Sequence, residues 1–263
     1  MSAIVTGGAS GIGRATGLAL AAHGYALALC DLDEAGLEES RRAVAARGGS
    51  CLVARCDVGD EAAVSAFAER VARELGPPRV LVNNAAVIVR KPLVSLTLAD
   101  WDFTLRVNLR AVFLCTQLVG RHMLAAGGGS IVNVSSTTGS VTTEPGAAAY
   151  SASKAAVVSL TQTTAIEWGP LGVRCNSVSP GFVRTAATEA AYRSPEVLRR
   201  RAEAVPLGRV AQPADVADVV AFLVSDGARF VNGENVVIDG GLTANLFAQL
   251  PGRERMGEGG EGA

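Results

Sequence analysis

The sequence predicts an α/β protein: a single domain on a seven-stranded, doubly wound parallel sheet flanked by helices. Three observations carry this. Short runs rich in Val, Ile, Leu and Ala alternate with longer stretches of helical periodicity, the pattern of repeated βαβ units. Those short runs are apolar along most of their length, as strands covered on both faces must be. The chain has 263 residues, of which 49% are apolar and 19% charged, enough for one large core and unlike a disordered chain.

The elements follow in order. SAIVT (2–6) is the first strand, and a helix covers 11–23 after a glycine-rich turn. YALALCD (25–31) is the second strand. The helix over 33–47 stops at Gly48-Gly49, since glycine readily takes the conformation that ends helices. SCLVARCD (50–57) leads into a helix over 60–75, ended by Gly76-Pro77-Pro78. RVLVNN (79–84) is the fourth strand, and a long helical region covers 97–126. SIVNVSS (130–136), a helix over 149–168 and VRCNSVSP (173–180) come next. Helices near 195–204 and 213–225 precede the last strand, ENVVID (234–239). Alternation of this kind implies parallel strands with right-handed crossovers. The domain is expected to span 1–245. Residues 246–263 are expected to form a tail, because PGRERMGEGGEGA (251–263) has almost nothing to bury.

Composition narrows the function. The formal net charge of −1 gives no basic field to recruit nucleic acid or anionic lipid. No apolar run reaches the length of a membrane span. The glycine-rich turn begins at Gly7, so no signal or transit peptide is expected ahead of the fold. Cys30, Cys51, Cys56, Cys115 and Cys175 are scattered through apolar stretches without metal-ligand spacing, which points to reduced, mostly buried thiols in a cytoplasmic protein. His23 and His122 fall near helix ends, and no His/Cys/Asp/Glu cluster suggests a metal.

Two stretches carry chemistry. TGGASGIG (6–13) lies between the first strand and the first helix. Gly7, Gly11 and Gly13 allow a tight turn, so that the N–H groups opening the helix face an anion. Asp31 ends the second strand, 18 residues beyond Gly13, where a carboxylate can accept bonds from an adenosine ribose. It can also cap the next helix. Asp57, at the end of the third strand, could meet an adenine amino group or cap the helix after it. The second stretch is YSASK (150–154), which stacks Tyr150 and Lys154 on one helical face. Either the pair is two polar side chains on a wet surface, or the ammonium lowers the phenol's pKa so that it can trade a proton.

With these residues the chain resembles the short-chain dehydrogenase/reductase (SDR) family, from residue 2 to about 243. TGGASGIG, CDV (56–58), NNAA (83–86), VN (107–108), NVSS (133–136), YSASK, NSVSPGFVRT (176–185) and DGG (239–241) occur in the family's order. NNAA departs from the commoner NNAG, which puts a methyl group at Ala86 in a tight place. The resemblance implies a Rossmann-like fold, a nicotinamide cofactor and a homotetramer. It implies Tyr150 as acid/base, with Lys154 lowering its pKa and holding the nicotinamide ribose. Ser136 would then hydrogen-bond the substrate oxygen, while Ser135 points the other way along the strand. Asn108 would help hold a water beside the lysine; a buried Asn satisfied by a neighbouring carbonyl is the plainer reading. Cofactor contacts are implied at Gly7, Ser10, Gly11, Ile12, Gly13, Asp31, Leu32, Asp57, Val58, Asn84, Ala85, Tyr150, Lys154, Pro180, Gly181, Val183 (backbone) and Thr185 (hydroxyl). Asn83 and Asn84 would stitch the fourth strand to its neighbours.

NAD is expected over NADP. Asp31 would repel a 2′-phosphate, Ser10 holds a turn position where NADP users often carry a cation, and Asp33-Glu34 add negative charge. Arg14 follows the turn, where users of both cofactors carry Arg. The substrate is expected to be a secondary alcohol or ketone of modest size. Its identity should lie in a lid over 186–209, AATEAAYRSPEVLRRRAEAVPLGR. Glu196 can pair with Arg200, and Arg199 with Glu203, at i,i+4 on a solvated face opposite Val197, Ala202 and Val205. Arg193 and Arg201 fit no such pattern and could hold an anionic substrate. Thr137, Thr138, Val141, Tyr192 and Val89 would form moderately apolar walls. Three alternatives stay open: reduction of a 3-oxoacyl thioester on a carrier, a non-catalytic nucleotide-binding protein on the same fold, and an epimerase or dehydratase of the extended relatives.

Overall fold

A computed structural model describes residues 1–186, 188–192 and 194–245. The tail expected over 246–263 and the unassigned Arg193 lie outside the described residues. The strands are β1 (Ser2–Thr6), β2 (Ala26–Asp31), β3 (Cys51–Arg55), β4 (Pro78–Asn83), β5 (Gly129–Val134), β6 (Val173–Pro180) and β7 (Asn235–Ile238). The helices are α1 (Gly11–Ala22), α2 (Glu34–Ala45), α3 (Glu61–Leu75), α4 (Leu98–Leu105), α5 (Ala111–Ala125), the single turn α6 (Thr137–Ser140), α7 (Ala148–Trp168), α8 (Pro195–Ala204) and α9 (Pro213–Val224).

All seven strands are parallel, in the order β3-β2-β1-β4-β5-β6-β7. The apolar runs divide by alternation. Ala3 and Val5, Leu27 and Leu29, Val80 and Val82, Val132 and Val134 pack on one face with Leu20 of α1, Leu37 and Val44 of α2, and Val216, Val220 and Leu223 of α9. Ile4, Ala28, Cys30, Leu81 and Ile131 pack on the other with Phe67 and Val71 of α3, Leu118, Val119 and Met123 of α5, and Ala165 of α7. Strands that bury both faces need no polar alternation, which is why they read as continuous apolar runs.

The ends of the elements differ from the sequence reading at the rim of the crevice. β3 stops at Arg55 and β5 at Val134, two residues short of the expected ends, because the chain there leaves the ladder at the carboxyl edge. Neither Asp31 nor Asp57 is a helix cap: Asp33 accepts from Gly36 N–H to start α2, and Asp60 accepts from Ala63 N–H to start α3. The long helix expected over 97–126 is α4 and α5 joined by a π turn, Arg106–Arg110, with Asn108 at its centre. A π turn keeps the helical direction, so periodicity does not reveal it. The chain order reverses between β1 and β4, and the crevice outside their carboxyl ends is where ligands bind in such sheets.

Candidate active site

The glycine turn between β1 and α1 is shaped by space. At Gly13 a Cβ would lie 2.0 Å from the Gly7 carbonyl oxygen and 2.6 Å from Asn84 Nδ2. Gly7 has φ +67, and a side chain there would strike Asn84 and Ala85. Asn84 Nδ2 donates to the carbonyls of Thr6 (3.0 Å) and Gly7 (3.1 Å), so β4 holds the turn directly. Thr6, which the sequence reading passed over, accepts from the N–H groups of Asn84 and Ala85 and ties the two strand ends at the crevice. Its only signal in the sequence is a hydroxyl in the last position of the strand. Ser10 stands at the N-cap of α1 without a side-chain capping bond. The opening N–H groups therefore face the crevice with the positive end of the helix dipole, the arrangement that suits a pyrophosphate. Val58 is inside the core, so only its backbone can meet a ligand, whereas Ile12 packs against the core and stays partly exposed.

Asp31 lies beside this turn. Its carboxylate accepts from Ala9 N–H (3.1 Å), Leu32 N–H (2.7 Å) and Asp33 N–H (3.2 Å). These bonds fix the carboxylate at the crevice edge and leave one acceptor site, on Oδ2, for a hydroxyl donor. Arg14 reaches the same turn from the other side. It donates to the Ala9 carbonyl, to Gly36 O (3.1 Å), to Ser40 Oγ (2.9 Å) and to Glu39 (2.9 Å). Buried Ser40 donates to Gly8 O (2.8 Å) and completes the support. Asp57 pairs with Arg106 (2.9 Å) and accepts from Gly59 N–H. Burial raises its pKa, but these two contacts outweigh burial and hold it below the ordinary value.

Across the crevice, β5 and α7 bring Ser136, Tyr150 and Lys154 together. Strand alternation works as expected: Ser135 turns inward and donates to the Lys154 carbonyl (2.8 Å), whereas Ser136 meets the Tyr150 phenol. Ser136 Oγ also accepts from Thr138 N–H (3.1 Å). Lys154 is buried and donates from Nζ to Val134 O (2.8 Å), with Nζ 5.8 Å from the centre of the tyrosine ring.

One expectation is corrected here. The phenol of Tyr150 is not lowered but raised above 10.0, because burial outweighs the opposing pulls of the Ser136 hydrogen bond and the Arg90 charge. The ammonium is weakened as well: burial brings Lys154 down to about 8. In the protein alone the pair is thus a phenol that keeps its proton beside a cation close to losing its own.

Asn108 is fully buried and follows the plainer reading. Its Oδ1 accepts from Val87 N–H (2.8 Å), and Nδ2 donates to Val87 O (2.9 Å) and Ser153 Oγ (3.2 Å). It clamps the loop after β4 to α7 next to Tyr150. Asn83 stitches β4 to β5 through Asn133 Oδ1 (2.8 Å). Ala86 is exposed, so its extra methyl group meets no tight place.

The end of β6 is more structural than the sequence implied. Thr137 donates to Pro180 O, and Gly181 N–H is spent on Ile238 O (2.9 Å). A Cβ on Gly181 would lie 2.7 Å from that of Asp239, which explains the glycine without a ligand. Val183 is buried, and its carbonyl accepts from Thr188, so a backbone contact falls to its N–H. The Thr185 hydroxyl, expected to face a carboxamide, is engaged with Thr188, while the Thr185 Cβ and methyl group cover Gly11. In the lid, Arg200–Glu196 (2.7 Å) and Arg199–Glu203 (2.6 Å) pair as the spacing predicts. Val197 is exposed instead of buried, and α8 buries no residue fully; Tyr192 and Val205 anchor the segment at its two ends. Arg201 stacks between the rings of Phe182 (5.2 Å) and Tyr192 (4.8 Å), so it braces the lid.

Comparison with known proteins agrees with this geometry. The family profile described as enoyl-(acyl carrier protein) reductase matches residues 7–243. The chain is 42% identical over 243 residues to D-threitol dehydrogenase of Mycolicibacterium smegmatis, covering 92% of each chain. It is also 42% identical over 243 residues to cis-4-hydroxycyclohexanecarboxylate dehydrogenase of Sinomonas cyclohexanicum, covering 92% of this chain and 96% of that one. Among solved structures, a gluconate 5-dehydrogenase from Burkholderia cenocepacia in complex with NADP and tartrate superposes with a TM-score of 0.87 at 33% identity, over 92% of this chain and 95% of that one.

Proposed function

The chain belongs to the short-chain dehydrogenase/reductase family, and from that membership we propose that it is an NAD-dependent dehydrogenase interconverting a secondary alcohol and its ketone. The observation that carries the proposal is the meeting of Ser136, Tyr150 and Lys154 opposite a glycine turn whose Gly13 leaves no room for a Cβ. Gly7, Gly11, Gly13, Ser10 and the start of α1 suit the pyrophosphate of a nicotinamide dinucleotide, and Asp31 suits its adenosine ribose. The bound nicotinamide supplies hydride exchange.

The protein's part is the proton. Ser136 donates to the substrate oxygen and stabilises the charge that grows there. Tyr150 gives its phenolic proton to that oxygen in ketone reduction and takes it back in alcohol oxidation. Its raised pKa keeps it loaded as an acid at neutral pH. Lys154, held by Val134 O, supplies the positive field against which the phenolate forms. Asn108 fixes the flank of this group through Val87.

NAD is favoured over NADP by the Asp31 carboxylate at the crevice edge and by the commitments of Arg14 to Ser40, Glu39 and two carbonyls. A cytoplasmic homotetramer is part of the same reading. Free cysteines support the compartment. Exposed Phe103 and Phe113 along α4 and α5 support an interface between copies.

The test is the ultraviolet absorbance of reduced nicotinamide with NAD or NADP and a panel of secondary alcohols. Wild-type turnover and a loss of about 10²-fold or more in Tyr150→Phe, with cofactor binding kept, are expected. Activity surviving in the variant within about tenfold, or no turnover with any alcohol, overturns the assignment.

A further inference from the structure

Most cations around the crevice are committed to the fold. Arg106 holds Asp57, Lys91 holds Asp100 (2.6 Å), Arg184 holds Glu189 (2.8 Å), and Arg201 is stacked between two rings. Arg90 stands apart from these. It lies on the loop that Asn108 clamps at Val87, and Lys91 N–H donates to Gly146 O (2.9 Å) just ahead of α7. Those contacts and the pair with Glu144 set Arg90 against the segment that leads into α7 and Tyr150, and its charge also pulls on the phenol. Its partner Glu144 comes from the segment ahead of α7, and the arginine side chain is 61% exposed, more than the cations of the Asp57, Asp100 and Glu189 pairs.

An exposed ion pair adds little to stability, since solvent screens it and two long side chains must be held still. The fold has therefore little to lose if the pair opens. Its chemistry is informative nonetheless: a guanidinium at the mouth of the site already accepts a carboxylate, and the planar fork suits that group.

We propose that Arg90 selects the substrate by receiving a carboxylate carried on the secondary alcohol, with Glu144 holding the guanidinium until that carboxylate displaces it. This rests on the dehydrogenase reading of the same site and adds the substrate class, a hydroxy acid or its keto acid. The carbinol meets Ser136 and Tyr150 while the acid end meets Arg90. Glu144 released into solvent keeps its own hydration, so the exchange trades one charge-assisted contact for another and gains an anchored substrate.

The experiment compares 3-hydroxybutyrate, 5-hydroxyhexanoate and 4-hydroxycyclohexanecarboxylate, each beside its methyl ester, in wild type, Arg90→Gln, Arg90→Lys and Glu144→Gln. The ester reports whatever Arg90 does to the phenol, so the acid-to-ester ratio of kcat/KM isolates carboxylate recognition. Wild type should favour at least one acid by about tenfold or more. Arg90→Gln should abolish that ratio, chiefly through KM, and Arg90→Lys should recover part of it. Glu144→Gln, which removes the competitor, should lower KM for the acid. Esters turned over as well as acids by wild type, or parallel losses for acid and ester in Arg90→Gln, overturn the inference and leave the dehydrogenase standing. No turnover with any compound here or in the alcohol panel overturns both.

Discussion

Replacing Lys154 by Met tests the electrostatics of the site through stability, without any substrate. Lys154 is buried, and burial brings its pKa from 10.5 to about 8. At about 1.4 kcal/mol per unit of pKa, holding the ammonium in the folded protein costs about 3 kcal/mol at pH 7. The sign follows from proton counts. Between about pH 8 and 10.5 the unfolded chain keeps this proton and the folded chain releases it, so stability rises with pH through that window. Met keeps the length of the side chain and removes the charge, but it leaves Val134 O without its donor, a loss of about 1–3 kcal/mol. At pH 7 the two effects nearly cancel or leave the variant ahead. By pH 9.5 the wild type should have recovered about 2 kcal/mol relative to the variant. Tyr150, raised above 10.0, stays protonated across this range. Urea unfolding of both proteins at pH 7 and 9.5, at one protein concentration, measures the difference. A stability gap that moves by less than about 0.5 kcal/mol between the two pH values would refute the buried, penalised ammonium.

Three further outcomes are expected. Gly13→Ala must push apart the Gly7 carbonyl and Asn84, at a cost of about 1–3 kcal/mol, and displace the turn; NADH affinity by fluorescence titration should fall about tenfold or more. Unchanged affinity in that variant would remove the turn from the cofactor site. Asp31→Ser should weaken NAD use and relieve the repulsion of NADP, narrowing the kcat/KM ratio between them without reversing it; a wild type that uses both equally would sink the reading of Asp31. Because the phenol is raised above 10.0, alcohol oxidation should climb with pH through the alkaline range, while ketone reduction should hold until the phenol itself titrates. Parallel pH profiles in the two directions would argue against Tyr150 as the group that exchanges the proton.

What could be read from the sequence was local or periodic. The strands were visible because two-sided burial leaves continuous apolar runs, and the lid pairs Arg200–Glu196 and Arg199–Glu203 because helical spacing alone sets them. The glycines and YSASK were visible as motifs. What stayed hidden depends on residues far apart in the chain. Arg201 looked unassigned because the Phe182 ring beneath it belongs to the end of β6. The Arg90–Glu144 pair closes only when α7 docks against the loop after β4. The shift of the Tyr150 phenol was read with the wrong sign, since spacing shows the neighbouring cation but not the burial that opposes it.

The residue between the two charges of the glycine turn has an evolutionary consequence. Asp31 holds the N–H of Ala9 and Arg14 holds its carbonyl, so a carboxylate and a guanidinium grip one residue from opposite ends. Loss of the carboxylate would not leave neutral ground; it would leave a cation already anchored to the fold through Ser40 and Gly36. A lineage starting from this arrangement keeps a cation at the turn, but one already spent on Glu39, Ser40 and two carbonyls, so it must be released as well as no longer opposed. On the proposed NAD reading, a change of cofactor is therefore more than one codon wide: position 31 removes the repulsion, and the contacts that occupy Arg14 must change after it.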